Sequence, residues 1–326
     1  MSIQPAGPMS RQPALPPSRQ SARPPRILTY VEAVARHGSI RKAAEALHIA
    51  SSALNRRILD LEQELGSMLF ERMPRGVRLT AAGELYLGYV RDTLSEFDLV
   101  NSRLEQLRGL VRGQVQIAAV ESVAGDLLPA EVVKFQASHP RVRFDIRVGV
   151  PRDLLTALID YEVDLILTHD PTPNPNIRIV AAAPQALCAL MVVDHPLAAF
   201  PSLRLRDCHG YPIALGHSSL SGRALIEQAL AQASFRIEPA LVSNSVEAMK
   251  AFSRLNRGIC FQFRNPGRGP VPPGDMIAVP LFDRPLAQAQ LLLATRRDRV
   301  LPIAAAAFVE QLETTLRSLQ GNVLIS

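Results

Sequence analysis

The sequence predicts three parts in order: a mainly α-helical N-terminal winged helix-turn-helix domain, a long linker helix, and an α/β domain of two lobes. Apolar residues recur at helical spacing from residue 27 to residue 108, and strand-like runs alternate with helical runs beyond residue 113. The positive charge is concentrated in the first quarter of the chain. At 326 residues, the chain is long enough for two or three domains.

Composition restricts the class of protein. The chain is 47% hydrophobic, as globular proteins are, and it contains no apolar run of the roughly 18 residues that a membrane span needs. Its cysteines, Cys188, Cys208 and Cys260, are far apart, which argues against a disulfide framework or a zinc site. Residues 1–25 hold seven prolines and no acidic residue, which predicts a disordered tail rather than a secretory signal. We therefore expect a cytoplasmic protein with no membrane partner, no metal and no resident cofactor.

The distribution of charge singles out the first domain. Residues 26–80 carry nine basic and six acidic groups, whereas residues 81–112 have a net charge of −1 and residues 113–326 a net charge of +1. A local excess of basic groups favours contact with a polyanion such as double-stranded DNA.

Three short helices are predicted before residue 66. The first spans residues 27–35, Gly38 ends it, and Ser39 caps the second. Ala43 and Ala44 let the second helix approach the third closely. The apolar positions of the third helix are Leu54, Ile58, Leu61 and Leu65. The sharp three-residue link between the two helices is typical of a helix-turn-helix.

The start of the third helix is the candidate recognition surface, because a helix-turn-helix offers this end to the DNA major groove. Short hydrogen-bonding groups and a guanidinium there suit base edges and phosphates. These outward residues are Ser51, Ser52, Asn55 and Arg56. Ala50 has no capping side chain, so we expect one of the two serines to cap instead. Glu62 and Glu64, later in the helix, are interpreted as solvated or paired with Arg57.

A small hairpin, the wing, is predicted over residues 70–80, with Pro74 and Gly76 at its centre. Its basic residues are expected to contact phosphates or the minor groove, although an ordinary solvated charged face is the alternative. The candidate DNA contacts here are Arg72, Arg75, Arg78 and Thr80.

Residues 81–107 lack proline and repeat apolar groups every three or four positions, which predicts a long helix with a coiled-coil-like seam. We expect this seam to form a dimer, since so long a helix has no obvious partner in its own module; packing on its own domain is the alternative. The predicted dimerisation residues are Leu94, Phe97, Leu104 and Leu107. Gly109 and Gly113 bracket a hinge.

The alternating runs beyond the hinge favour an α/β domain with largely parallel sheets. The predicted strands are residues 115–120, 142–148, 164–168, 187–193, 212–215, 237–242, 259–263 and 288–294. The predicted helices are residues 127–137, 152–160, 222–233, 245–255 and 302–319. A proline-rich loop at 171–175 and consecutive strand candidates around Ile179 and Leu187 mark where the chain crosses between lobes. Residues 264–275 are predicted as a loop.

Several strand-to-helix junctions carry hydroxyl groups, which predicts a ligand cleft. Ligands in open α/β sheets lie beyond the carboxyl ends of strands, and helix N-termini there favour anions. We predict a small carboxylate or similar anion held by Ser122, Ser219 or Ser221, and Ser245, with Thr168 or His169 discriminating. For any single serine, a helix cap is the more readily expected role. Glu121 argues against an anion unless its side chain points away.

Three segments resemble the N-terminal domain of LysR-type transcriptional regulators. They are residues 31–49 (VEAVARHGSIRKAAEALHI), 61–72 (LEQELGSMLFER) and 75–83 (RGVRLTAAG). The chain departs from the family pattern at residues 50–52 and at Asn55, where the family commonly has Ser-Gln-Pro and a serine; these departures leave the target DNA sequence open. The remaining chain is similar to the family's effector domain, which resembles periplasmic solute-binding proteins, so the resemblance covers roughly residues 27–320.

The resemblance implies a sequence-specific regulator of transcription, not an enzyme, with a small-molecule inducer between two lobes. It also implies homo-oligomers, dimers and often tetramers, with RNA polymerase as a candidate partner. The alternatives are an architectural DNA-binding dimer without a ligand, and a solute-binding protein or small-molecule enzyme. The predicted boundaries are a tail at 1–25, the DNA-binding domain at 26–80, the linker helix and hinge at 81–112, the effector domain at 113–320 (lobe I about 114–183 and 287–320, lobe II about 184–286) and a tail at 321–326.

Overall fold

A computed structural model describes residues 24–106, 112–169, 173–231, 233–264, 274–284, 286–287 and 289–321. Most of the two predicted tails, Leu107, Gly109 and most of the loop at 264–275 lie outside these residues. The chain divides into two compact units, Met1–Phe97 and Asp98–Ser326. No helix in the described ranges is long and apolar enough to cross a membrane.

The first unit contains three helices, a two-stranded hairpin and the start of a long helix. Its elements are α1 Arg26–His37, α2 Ile40–Ala46, α3 Ser51–Leu65, β1 Phe70–Met73, β2 Gly76–Leu79 and α4 Ala81–Gln106. Gly38 ends α1 in the left-handed conformation and the Ser39 hydroxyl accepts from Lys42 N at 3.4 Å, so both predicted signals are confirmed. Ala43 and Ala44 lie in α2 and are fully buried.

The predicted capping of α3 by Ser51 or Ser52 is wrong. The helix begins at Ser51 with Ala50 as its N-cap, and no side-chain hydrogen bond caps this end in the described chain. Ala50 contributes its carbonyl, which accepts from Leu54 N at 3.1 Å. Both serines are exposed on the first turn. Their hydroxyls therefore remain available at the surface instead of being consumed by the helix end.

Glu62 is buried rather than solvated, which corrects the prediction made for it. Its side chain is 4% exposed, and Glu62 Oε1 accepts from Leu69 N at 2.8 Å and from Phe70 N at 2.9 Å. A buried carboxylate is tolerated where backbone N–H groups donate to it. Glu62 therefore ties the end of α3 to the first residue of the hairpin, whereas Glu64 is exposed.

The hairpin packs on the end of α1 through a glycine. Val77 N donates to Gly38 O at 2.9 Å, and Gly76, with φ 140°, lies against the same carbonyl. A Cβ atom at Gly76 would stand 2.2 Å from Gly38 O. Only glycine fits both the dihedral angle and the contact at this position. The wing is thus held in place at its base by α1.

The second unit alternates strands and helices as predicted. The helices are α5 Glu121–Ala124, α6 Leu127–Ser138, α7 Pro151–Ile159, α8 Ser221–Ala231, α9 Val246–Asn256 and α10 Ile303–Gly321. The strands are β3 Gly113–Ala119, β4 Val142–Val148, β5 Leu165–His169, β6 Ile177–Val192, β7 Ile213–Gly216, β8 Leu241–Ser243, β9 Ile259–Arg264, β10 Met276–Pro280 and β11 Ala289–Arg296. The strand β10 was not predicted, and β8 is shorter than the predicted run at 237–242.

The sheet is mixed, so the prediction of largely parallel sheets holds for its outer parts only. The strand order is β4-β3-β5-β11-β6-β9-β7-β8, with β10 beside β6. Strands β3, β4 and β5 pair in parallel, as do β7, β8 and β9, whereas β11, β6 and β10 run antiparallel to their neighbours. The two strand candidates around Ile179 and Leu187 form the single strand β6. Its first half pairs with β11 and its second half with β9 and β10, so one strand serves both halves of the unit.

The two halves of the sheet have separate hydrophobic cores. One core packs α6, α7 and α10 on β3, β5 and β11, and the other surrounds β6, β7 and β9. Cys188 and Cys260 are buried, as predicted, and Cys208 is buried too. Burial raises the pKa of Cys188 and Cys208 to about 12 and that of Cys260 to about 11, so the three thiols are neutral.

Candidate functional site

The exposed start of α3 presents polar groups to solvent. Ser51, Ser52 and Arg56 are exposed, whereas Asn55 is half-buried and its Oδ1 has no hydrogen-bond partner among the described residues. The first turn of α3 contains no acidic residue. The partial positive charge of this helix N-terminus is therefore left uncompensated, which favours phosphate contact.

The basic groups of the wing differ in how much charge they offer. Arg72 and Arg75 are exposed. Arg78 Nη2 lies 2.6 Å from Glu71 Oε2 across the hairpin, and both side chains are largely exposed. An exposed ion pair contributes little to stability, but it lowers the positive charge available to DNA. Arg72 and Arg75 are therefore the stronger candidates for phosphate contact.

Thr80 has an internal role, which corrects its predicted place on DNA. Its hydroxyl donates to Met68 O at 2.7 Å and accepts from Gly83 N at 2.9 Å. Thr80 therefore caps the start of α4 and joins it to the segment before β1. Because its proton is already engaged, this hydroxyl cannot donate a hydrogen bond to a DNA phosphate.

The Arg56→Ala variant is expected to lose about 1–3 kcal/mol of operator binding free energy, as removal of a specific DNA contact does. Arg56 is exposed at the start of α3. The measurement is the affinity for a double-stranded operator fragment at fixed salt. Arg236→Ala removes the same charge from an exposed site of the second unit and serves as the control. Equal affinities of the two variants would contradict the placement of Arg56.

The apolar seam of α4 is divided between two environments. Leu94 is half-buried against the core of the first unit, and Phe97 is half-buried. Val100 and Leu104 are 53% and 48% exposed, and Leu107 lies outside the described residues. Among the described seam residues, the exposed apolar surface is therefore at Val100 and Leu104, whereas Leu94 packs on its own domain.

A cleft cavity of about 60 Å³ lies in the second unit at the carboxyl ends of several strands. Its wall is mainly apolar, with Leu187, Phe261 and Phe263 among the lining side chains. Polar lining residues are Glu121, Ser122, His169, Ser221, Arg223 and Gln262. Apolar walls with a few polar groups are typical of small-molecule sites.

Ser122 and His169 form a pair on this cavity. His169 is 3% exposed, and desolvation lowers its pKa to about 4, so the ring is neutral at physiological pH. Nδ1 lies 3.2 Å from the Gln290 carbonyl, which can only accept, so Nδ1 carries the proton. Nε2 is then an acceptor, and the Ser122 hydroxyl, 3.1 Å away, donates to it. Ser122 consequently presents lone pairs to the cavity and can accept a hydrogen bond from a ligand.

The structure brings together only part of the predicted ligand set. Ser122, His169 and Ser221 line the cavity. Thr168 is fully buried and does not line it, and the exposed Ser219 hydroxyl lies 3.1 Å from His217 Nδ1 instead. These two predictions are corrected, because alternation along β5 turns Thr168 into the interior and the loop before α8 turns Ser219 outward.

Ser245 is a helix cap, as the alternative interpretation had it. Its hydroxyl accepts from Ala248 N at 3.3 Å and caps α9. Glu121 lies beside it and does not point away. One carboxylate oxygen accepts from Val246 N at 2.9 Å, and the other accepts from Glu247 N at 3.3 Å and from the Ser245 hydroxyl at 3.5 Å. The N-terminus of α9 therefore already holds a carboxylate.

Two cavity residues were missed by the sequence argument. Arg223 Nε lies 2.8 Å from Glu227 Oε1, and Arg223 Nη1 donates to Gly216 O at 3.1 Å. Gln262 Nε2 donates to Ser122 O at 3.4 Å. A polar residue inside the apolar run of β9 was the available signal for Gln262, whereas Arg223 looked like an ordinary surface residue of a helix.

A second cavity of about 250 Å³ adjoins the first and shares Glu121, Ser122, Gln262 and Phe263 with it. Apart from Glu121, its charged lining groups occur in pairs. Lys250 Nζ lies 2.7 Å from Glu247 Oε1, and an Arg264 guanidinium nitrogen lies 3.8 Å from Asp126 Oδ2. In the described ranges, no cluster of three or more His, Cys, Asp or Glu side chains could hold a metal ion.

Two family models match most of the chain. Residues 25–84 match the bacterial regulatory helix-turn-helix protein, lysR family, and residues 108–317 match the LysR substrate binding domain. A RuBisCO operon transcriptional regulator of Allochromatium vinosum is 30% identical over 234 residues, which is 72% of this chain and 77% of the relative. An HTH-type transcriptional regulator of Escherichia coli, YbhD, is 28% identical over 282 residues, 84% of this chain and 86% of the relative.

Solved structures share the fold of both domains or of the second domain alone. Full-length OxyR from Pseudomonas aeruginosa has a TM-score of 0.65 at 19% identity, covering 90% of this chain and 95% of that one. CbnR, solved in complex with its target DNA, has a TM-score of 0.57 at 21% identity, covering 90% and 99%. The effector binding domain of QuiR, solved in complex with shikimate, has a TM-score of 0.52 at 18% identity, covering 64% and 98%.

Proposed function

Because the chain belongs to the LysR family of bacterial transcriptional regulators, we propose which of its residues bind DNA, form the oligomer and bind the effector. The protein is a DNA-binding regulator controlled by a small-molecule effector, and it is not an enzyme. The first unit contacts operator DNA through Ser51, Ser52 and Arg56 of α3 and through Arg72 and Arg75 of the wing. Since its target is DNA, it acts in the cytoplasm.

The proposed oligomer is a dimer formed along α4, with tetramers built from two dimers. Val100 and Leu104 are large apolar side chains at successive seam positions and are about half exposed. Apolar groups at this spacing pack against the same groups of a second helix. A two-fold dimer places two recognition helices on successive turns of an operator.

The proposed effector is a small carboxylate that also carries a hydrogen-bond donor, such as a hydroxy acid. The observation that supports this proposal is the carboxylate of Glu121 on the N-terminus of α9 at the edge of the cavity, because the backbone N–H groups there donate to an anion. Ser122 offers an acceptor to the donor group of the same ligand. Arg223 adds positive charge on the opposite helix, although Glu227 compensates part of it.

The effector acts by favouring one arrangement of the two halves of the cleft over another. A ligand with equal affinity for both arrangements would shift nothing. Ser122 lies beside the core of α6 and α7, and α9 packs on the other half of the unit. An effector that contacts both Ser122 and α9 therefore has different affinities for the two arrangements. We propose that the shift changes the spacing of the DNA-binding domains in the oligomer, and through it DNA bending and access of RNA polymerase.

The Ser122→Ala variant is expected to weaken effector response at least about tenfold and to keep basal operator binding, because one hydrogen bond to a charged or polar ligand is lost. Full-length protein is screened against hydroxy acids by thermal shift, and operator binding is then titrated with the hit. Ser219→Ala is the control, since Ser219 lies outside the cavity and pairs with His217. A Ser122→Ala variant that responds like wild type would place the effector elsewhere.

A further inference from the structure

We propose that Glu121 is a tethered anion that occupies the effector's carboxylate position and sets which effectors can bind. This inference rests on the proposed function, because it concerns the same cleft. An incoming carboxylate has to displace the Glu121 side chain from the N-terminus of α9 before it can take the N–H groups of Val246 and Glu247.

The geometry is that of a bound ligand carboxylate. The two oxygens of Glu121 accept from Val246 N at 2.9 Å, from Glu247 N at 3.3 Å and from the Ser245 hydroxyl at 3.5 Å. Each oxygen thus has a backbone donor, and the negative charge faces the positive end of an eleven-residue helix. A second carboxylate cannot occupy the same donors, since two like charges would then share one site.

Glu121 differs from the other carboxylates that line the cleft. In the described part of the chain, Glu247 pairs with Lys250 and Asp126 pairs with Arg264. Glu121 instead accepts hydrogen bonds from backbone N–H groups and one hydroxyl. Among the described residues, displacing Glu121 therefore breaks no ion pair, whereas displacing Asp126 or Glu247 would break one.

The contact also joins the two halves of the second unit. Glu121 follows β3 and lies between Val120 and Ser122, beside the core of α6 and α7. Val246 belongs to a cluster around α9 and the second half of β6. A carboxylate effector that replaces Glu121 consequently breaks one link between the halves and makes its own, which couples binding to their arrangement.

Competition of this kind raises the apparent dissociation constant of an anion. When the competent state is only partly populated, apparent affinity falls by the populated fraction. If Glu121 leaves the helix about one tenth of the time, the apparent dissociation constant rises about tenfold. A neutral ligand that does not use these N–H groups is not affected. Glu121 therefore excludes anions that bind weakly, and it raises the concentration of effector that is needed to occupy the cleft.

The test measures binding of sodium glycolate and of its neutral analogue glycolamide to the full-length chain at constant ionic strength. E121Q and E121A are expected to bind glycolate at least about tenfold more tightly than wild type, with glycolamide affinity unchanged. E247Q is the matched control, because it removes the same charge from the same helix terminus but leaves Glu121 in place. Thermal unfolding establishes that each variant is folded. Agreement between E121Q and E121A shows that the gain in glycolate affinity comes from loss of the carboxylate and not from the residue that replaces it.

Three results would overturn the inference: glycolate affinity of E121Q and E121A equal to or weaker than wild type, no measurable glycolate binding to any variant, or an equal gain in E247Q. The last would show a long-range charge effect without competition. The proposed function has a separate readout, since it depends on the Ser122→Ala response measured on operator DNA. If Ser122→Ala abolishes the effector response while E121Q binds glycolate no more tightly than wild type, the proposed function stands and this inference is wrong.

Discussion

Leu104→Arg is expected to dissociate the dimer, raising its dissociation constant by at least about 100-fold. An arginine in the seam would be buried without a partner in the dimer, and that is strongly unfavourable; about 2.7 kcal/mol suffices for a 100-fold change. In a single chain Leu104 is 48% exposed, so the arginine reaches water and the fold itself bears little cost. Sedimentation of the full-length chain over a range of concentrations measures the effect.

Leu104→Met is the matched control for this variant, because it nearly conserves volume and stays apolar. It should sediment as wild type does. Operator affinity of Leu104→Arg should fall together with dimerisation, since each monomer reaches a single half-site. A Leu104→Arg protein that remains dimeric, with unchanged thermal unfolding, would assign dimerisation to another surface of the chain.

Glu62→Ala is expected to destabilise the DNA-binding unit by about 3 kcal/mol. The N–H groups of Leu69 and Phe70 would lose their acceptor inside the fold, and each unsatisfied buried donor costs about 1–3 kcal/mol. Glu62→Gln keeps an oxygen acceptor and should lose less. The effect falls on the junction between α3 and β1, so DNA binding should weaken although Glu62 itself is buried.

Glu64→Ala is the control for Glu62→Ala, since Glu64 is exposed two residues later on the same helix. Because the chain has two units, a single unfolding free energy is not well defined, and hydrogen exchange at residues 69–80 is the better measure. Faster exchange there in Glu62→Ala, with Glu64→Ala like wild type, is the expected result. Equal exchange rates in the two variants would show that Glu62 does not stabilise the wing.

The order and kind of most helices and strands follow from the amino-acid sequence. Gly38 and Ser39 separate α1 from α2, and apolar spacing defines α3, because these signals act over a few residues of contiguous chain. The alternation that predicted the α/β unit is local in the same way, and most of its strands and helices lie where expected. Family resemblance concentrated in residues 31–83 was sufficient to identify a DNA-binding regulator, since the helix-turn-helix and wing are formed within one short segment.

Contacts between side chains and distant backbone groups depend on the tertiary structure. Glu62 and Thr80 look like surface residues in the sequence, yet both hold neighbouring elements together through backbone contacts. Glu121 accepts from Val246 N, and these residues are 125 positions apart in the chain. A sequence displays the charge and hydrogen-bonding capacity of a side chain, but its partner depends on how strands and helices stack. For that reason the sequence did not show that the Glu121 carboxylate lies on the N-terminus of α9, where an anion was predicted.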